Sequence, residues 1–327
     1  MNKDGIIVIL AYPETFVSQA QFWYRPIFEL VGLGKNGKIR AGHAAALIIN
    51  KISGTVKYTD FGRYITPLGI GRARTSETDP ELNFDIKAEF DESGNLENFV
   101  SILKTVYRYP EKTHGQGPMY ASLVDNVNYR KCREFIEKCQ SKREGQNYGP
   151  FDLLGSNCSR FVRDLVYYGK ENKTPPLLNR LKRLSPSPLG NVYFMGDRSQ
   201  SYHLNGSTKK IDKFPQFEPF IRLFGSKVNH INHPERKIDV QKKFPKAQWL
   251  DGIGAGAWFD ICENKEGYNI TRIDQDGSVI FDLPFKSKIP LDLNKKYCFK
   301  YGTNAKHALI EQDGQVIEFR NANFNVT

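Results

Sequence analysis

The sequence predicts an α+β fold: an antiparallel sheet packed with helices, followed by a small C-terminal antiparallel β unit. Three observations carry this. Residues 6–13 and the hairpin pattern over residues 37–64 supply strands. Residues 95–109, 126–142 and 155–169 repeat apolar side chains at helical spacing. Beyond residue 247, short alternating stretches are punctuated by Asp-Gly turns. The 22 Phe and 16 Tyr lean the same way, because aromatic side chains suit pleated surfaces.

In chain order, "IIVILA" near the N-terminus reads as a buried strand. It is too short for a signal peptide or a membrane span. "GKIRAGHAAALIIN", the turn "KISG" and "TVKYTDFGRY" read as a β-hairpin, and "TPLGIGRARTSETDPEL" as a Gly/Pro-rich loop. "FDIKAEFD" (84–91) alternates as a half-buried strand does. Two helices follow, 95–109 and 126–142; Cys132 and Cys139 lie on the apolar stripe of the second and read as core thiols. The helix of "GSNCSRFVRDLVYYG" closes a first domain at residue 169. Residues 170–246 are rich in Pro, Ser, Asn and Lys and read as a basic linker or covering segment; residues 247–327 form the β unit.

Five cysteines without a CxxC pair argue against a disulfide framework or a zinc finger, and for reduced thiols in a cytosolic setting. The formal net charge of +11 is concentrated in residues 170–246, which hold 16 Lys or Arg against 6 Asp or Glu. That segment could face an acidic partner, or be a solvated surface with no fixed partner. Its charges are scattered among prolines and form no zinc-finger or RRM signature, so no sequence-specific nucleic-acid binding is expected. No transmembrane segment and no cofactor are expected either. His230 and His233 lack a third ligand, so no metal site is expected.

The chemistry concentrates on Cys158. Ser156 is a good N-cap, which puts Cys158 in the first helical turn. There, free backbone N–H groups and the positive helix end favour a thiolate and can hold a developing oxyanion. The alternative is a small buried hydrophobe. A thiolate nucleophile needs a base, and His43 lies in "GHAAALII", a run apolar on both faces and hence a central strand. The alternative is a core histidine with a satisfied hydrogen bond. If "KISG" is the turn, Ala45 opposes Asp60, so His43 and Asp60 share a face and lie diagonally within reach. Asp60 would then orient the imidazole, with Tyr58 on the same face as the alternative. Asp60→Asn is expected to leave the fold intact while slowing any Cys-dependent reaction. Tyr12 and Arg63 are candidates for lining the cleft.

"GHAAALI", a carboxylate on the next strand and "NCSRFV" opening a helix over a hundred residues later resemble the circularly permuted branch of the NlpC superfamily of papain-like thiol enzymes, among whose relatives are the lecithin:retinol acyltransferases. "KYTDFGRYITPLGIGRART", with "GIGAGAWF" further on, also resembles an uncharacterised bacterial family of this type. The resemblance covers residues 1–169 and implies a permuted papain-like domain with His43 as base and Cys158 as nucleophile. Cell-wall peptides are the usual substrates of the wider superfamily. The expected function is a Cys-dependent hydrolase or acyltransferase acting on a peptide, amide or ester bond. The rival is a non-catalytic binding protein on the same scaffold. Without an export signal the expected location is the cytoplasm, unless a dedicated secretion system exports the chain.

Overall fold

The computed structural model describes residues 3–18, 34–35, 38–149, 155–171, 187–211 and 240–324. The first structural unit is built on two apolar strands, β1 (Gly5–Tyr12) and β2 (His43–Asn50), both buried on both faces. They pair antiparallel, as do all their neighbours: β3 (Val56–Gly62), β4 (Ile70–Arg74), β5 (Met119–Val127), β6 (Gln146–Asn147), β7 (Asp197–Asn205) and β8 (Ser207–Lys210). The eight-stranded sheet runs β8-β7-β5-β1-β2-β3-β4-β6, so the His43 strand is interior. A continuous apolar run needs cover on both sides. Helix α1 (Phe99–Tyr107) supplies Phe99, Ile102, Leu103 and Val106 against Ile6, Val8, Leu10, Leu47 and Ile49. A four-residue turn of helix, α2 (Pro110–Thr113), follows it. Helices α3 (Tyr129–Gln140), α4 (Cys158–Gly169) and α5 (Pro188–Met195) cover the other face, against Ile7, Ile9, Ala44, Ala46, Ile48 and Phe61.

Several expectations are corrected here. Residues 84–91 form no strand; they carry only the isolated bridges Thr55↔Lys87 and Phe90↔Leu96. The supposed loop after β3 contains β4, a short strand broken up by its glycine. "MYASLVDNV" is β5, paired directly with β1 although Ser122 and Asp125 interrupt its apolar run. The segment 170–246, expected as a linker or covering segment, contains regular structure. Its residues 188–210 form α5 and the β7–β8 hairpin, because Leu189, Val192 and Leu204 supply apolar anchors to the two cores within a polar sequence. Residues 172–186 and 212–239 of that segment, with His230 and His233, lie outside the described residues.

The second unit has seven strands: β9 (Gln248–Leu250), β10 (Ala257–Asn264), β11 (Gly267–Ile273), β12 (Val279–Ser287), β13 (Tyr297–Phe299), β14 (His307–Gln312) and β15 (Gln315–Asn321). They pair antiparallel in the order β9-β10-β11-β12-β15-β14-β13. The Asp313-Gly314 turn joins β14 to β15 with φ values of +52° and +77°, the left-handed pair a two-residue hairpin requires. The sheet curls almost into a barrel. Its two edge strands are stitched by one side chain, with Gln248 Nε2 donating to Tyr297 O (3.0 Å) and its Oε1 accepting from Phe299 N (2.9 Å). Phe259, Phe281, Phe285, Phe299 and Phe319 fill the interior.

Candidate active site

Cys158 is the first residue of α4, and the cap is Asn157, whose side chain accepts from Arg160 N at 2.9 Å. The expected cap, Ser156, instead bonds the Asn157 carbonyl. Both residue types cap well; the extended backbone at Asn157 selects it. Phe161, Val162, Leu165 and Val166 bury the inner face of the helix and hold its first turn against β2. Arg160, itself buried, donates to Gly149 O and to Gly155 O (3.1 Å), linking the helix start to both residues.

His43 opens β2 directly after Gly42, whose φ of +72° is the conformation glycine tolerates best. The register pairs Ala45 with Asp60, and Asp60 with Arg74 on β4. One sheet face therefore carries His43, Asp60 and Arg74 in a row. His43 Nε2 lies 3.3 Å from Asp60 Oδ2. Arg74 donates to the same carboxylate twice, Nε to Oδ1 (2.9 Å) and Nη2 to Oδ2 (2.6 Å), and Tyr58 OH donates at 3.1 Å. The Asp60 and Arg74 side chains are 0% and 1% exposed. With Nε2 turned to Asp60, Nδ1 is the ring nitrogen left for the Cys158 thiol, which hydrogen-bonds His43. The sulfur also meets the Tyr148 hydroxyl and the Ala44 backbone N–H, while the Cys158 N–H reaches the same hydroxyl.

These contacts set the proton affinities. Burial alone would push the His43 imidazole down, but the Asp60 hydrogen bond and then the Cys158 thiol outweigh it and raise His43 to about 9. Burial pushes the Cys158 thiol up; the hydrogen bond and charge of His43, with the Ala44 N–H and Tyr148, reverse this and bring it below its ordinary value. Asp60 is pushed up by burial, yet the Arg74 guanidinium and His43 hold it well below the usual carboxylate range. The arrangement favours a thiolate–imidazolium pair. By contrast, burial pushes Cys132 up to about 12 and Cys139 up to about 11, as suits core thiols.

The structure thus brings Cys158, His43 and Asp60 together. Tyr58 stands behind Asp60 rather than on the imidazole. Tyr12 pairs with His43 across β1–β2 and stacks on its ring at 6.3 Å, but at 2% exposure it packs in the core rather than on an open wall. Arg63 sits over the Tyr148 ring at 5.1 Å, beside the thiol. Sequence reasoning missed four neighbours: Arg74, Tyr148, Tyr64 and His114. Tyr64 lies edge-on to His43 (6.5 Å) and stacks on His114 (4.7 Å). Burial and then the Arg74 charge push the His114 imidazole down to about 3, so that ring is neutral. The same hairpin arithmetic across a turn at "TPLG" would set Asp60 opposite Thr75, one residue out of the observed register, so it misses Arg74; nothing in the spacing signals Tyr148. Among the described residues, no group of three or more His, Cys, Asp or Glu side chains is placed to hold a metal ion.

Residues 7–174 match the family model described as type VI secretion system effector TseH-like, and residues 247–322 match the DUF6695 C-terminal domain. Among solved structures, the chain is similar to the crystal structure of the type VI secretion system effector TseH, at 14% identity over 64% of this chain and 98% of that one, with a TM-score of 0.42. No curated protein matches.

Proposed function

We propose, of a chain that belongs to the TseH-like family of type VI secretion system effectors, that it is a thiol hydrolase or acyltransferase acting on a peptide, amide or ester bond. The carrying observation is His43, held between the Asp60 carboxylate and the Cys158 thiol at the start of a helix. The Cys158 thiolate attacks the carbonyl carbon. The charge that develops on oxygen falls near the Tyr148 hydroxyl, a donor at the sulfur, and the Cys158 N–H that reaches the same hydroxyl. The His43 imidazolium gives its proton to the leaving amine or alkoxide, and the thioester remains. His43, now neutral, takes a proton from water or another acceptor as that attacks, and the thiol is regenerated. Asp60 holds the ring and its charge throughout.

The His strand preceding the Cys helix, both packed on an antiparallel sheet, supports the permuted papain-like reading of residues 1–169. Among the described residues no helix is long and apolar enough to cross a membrane. Family membership supports export through a type VI secretion system rather than a purely cytoplasmic role. Cell-wall peptides fit as substrates through the superfamily resemblance.

The test is peptide-resolved alkylation by iodoacetamide at pH 6. Cys158 is expected to react much faster than the exposed Cys262, and His43→Ala to abolish the difference. A Cys158 as inert as Cys132 would favour the binding-protein alternative.

A further inference from the structure

Three residues, Arg63, Tyr64 and Ile65, leave the first sheet at the end of β3 and are held by the second. Ile65 N donates to Ala255 O at 2.7 Å, Gly254 N donates to Arg63 O at 2.9 Å, and Tyr64 pairs with Ala255 as a parallel bridge. Ile65 has φ +52°, a left-handed conformation foreign to a β-branched residue, and its side chain is buried in the core cluster of the second sheet that includes Phe259 and Phe285. Such a conformation persists only where the surroundings over-determine it. Here the surroundings belong to the C-terminal unit.

A second tie reaches the same segment. Arg272 on β11 donates to Asp79 Oδ1 at 3.0 Å, and its other arm meets Glu81 at 3.1 Å. Asp79, 0% exposed, also accepts a two-pronged pair from Arg72 (2.7 and 2.6 Å). Arg72 Nε in turn donates to the Tyr64 carbonyl at 2.7 Å. An ion-pair chain that starts in the second sheet thus ends on the Tyr64 backbone.

Both sides of the thiol–imidazole pair lean on this segment. The Tyr64 ring folds back over Gly62, where any side chain would collide with it, and lies 3.7 Å under the Arg74 guanidinium. Arg74 is the group that grips Asp60. Arg63 covers Tyr148, which touches the sulfur. We propose that the C-terminal β unit is a part of the Cys158 site: by clamping residues 63–65 it makes Tyr64 and Arg63 positioning residues, Tyr64 for the Arg74–Asp60–His43 row and Arg63 for Tyr148. This rests on the thiol-hydrolase reading above.

Gly252→Ala and Arg272→Met test it in the full chain. A methyl at 252 would strike Ala255 O and come within 2.6 Å of Ile65 N, forcing the two backbones apart. Arg272→Met cuts the second tie and leaves Asp79 paired with Arg72. Cys158 alkylation is followed by peptide mass spectrometry from pH 5 to 9.5, with the exposed Cys262 as internal reference and hydrogen exchange reporting the backbone of 63–65. The groups facing the sulfur are His43 and the Tyr148 hydroxyl, with Asp60, Tyr64 and Arg63 next beyond them. Each variant is expected to keep its far-UV circular dichroism and to loosen 63–65. The Cys158 midpoint should rise by about one pH unit, so that alkylation at pH values below the wild-type midpoint falls about tenfold, with Cys262 unchanged.

An unmoved midpoint with 63–65 loosened overturns the proposal, as does continued protection of 63–65 in the double variant. If Gly252→Ala does not fold, Arg272→Met alone carries the same outcomes. Failure of the underlying reading is distinct: the wild-type Cys158 would then titrate like an ordinary thiol before any variant is made.

Discussion

Asp60→Asn shows how far the surroundings of one carboxylate change what a conservative substitution does. Read as a partner of His43 alone, Asp60 could lose its charge and leave the fold intact. In the structure it is also the counter-charge of Arg74, whose guanidinium is 1% exposed and bonds Asp60 at 2.9 and 2.6 Å. The amide keeps the shape, but its NH2 group must face the Arg74 or the His43 donors. Arg74 keeps at most the one amide oxygen, the Tyr64 ring face and the Lys112 carbonyl at 3.3 Å, and loses its counter-charge. Breaking a buried pair from one side costs about 3–5 kcal/mol, against a typical total stability of about 5–15 kcal/mol. Urea unfolding at pH 7, followed by circular dichroism, should therefore show Asp60→Asn destabilised by that amount. Adding Arg74→Met removes the orphaned charge and should recover part of the loss. Asp60 holds its proton less tightly in the fold than when unfolded, so its stabilisation is complete above about pH 4 and is lost as the pH falls below that. The gap between wild type and Asp60→Asn should close in acid. A single-variant cost under about 1 kcal/mol, or a double variant no more stable than Asp60→Asn, would refute the argument.

The His43 linkage has the opposite sign. Its imidazole is raised to about 9, so the stability it adds is fully present below its ordinary value of 6.5 and disappears as the pH climbs through about 9. The urea-midpoint difference between wild type and His43→Gln should shrink accordingly between pH 6.5 and 9.5. Tyr148→Phe removes a donor to the sulfur, and the Cys158 alkylation midpoint should rise by about one unit, less than in His43→Ala. Phe161, stacked on Phe61 (5.7 Å) and packed against the tilted Phe135 ring (5.4 Å), anchors α4; Phe161→Ala should cost about 3–5 kcal/mol by thermal or urea unfolding.

Much of the site was legible because it is local. The β2–β3 hairpin is closed by a short turn, and a side-chain period of two leaves little freedom, so the pairing of Ala45 with Asp60 follows from "KISG" and the alternation around it. The placement of Cys158 at a helix start follows from cap chemistry, with the cap displaced by one residue because Ser156 and Asn157 are both competent. The Asp-Gly turns of the C-terminal strands are equally short-range. Arg74 was hidden in a strand whose Gly and Arg residues break its apolar pattern, and β7 in a segment too polar to stand out.

The sequence by itself determined the strand that carries His43, the hairpin that sets Asp60 beside it, the helix start at Cys158 and the β character of the C-terminus. Each depends on residues close together in the chain, where backbone geometry and apolar period leave few alternatives. Only the tertiary structure decided that Arg74 neutralises Asp60, that Tyr148 meets the thiol, and that Ile65 is buried in the core of the other unit. Arg272 meets Asp79 across 193 residues of chain. No local pattern encodes such a contact: it exists only because two sheets bury a shared charge between them, and burial of a charge is a property of the packed whole.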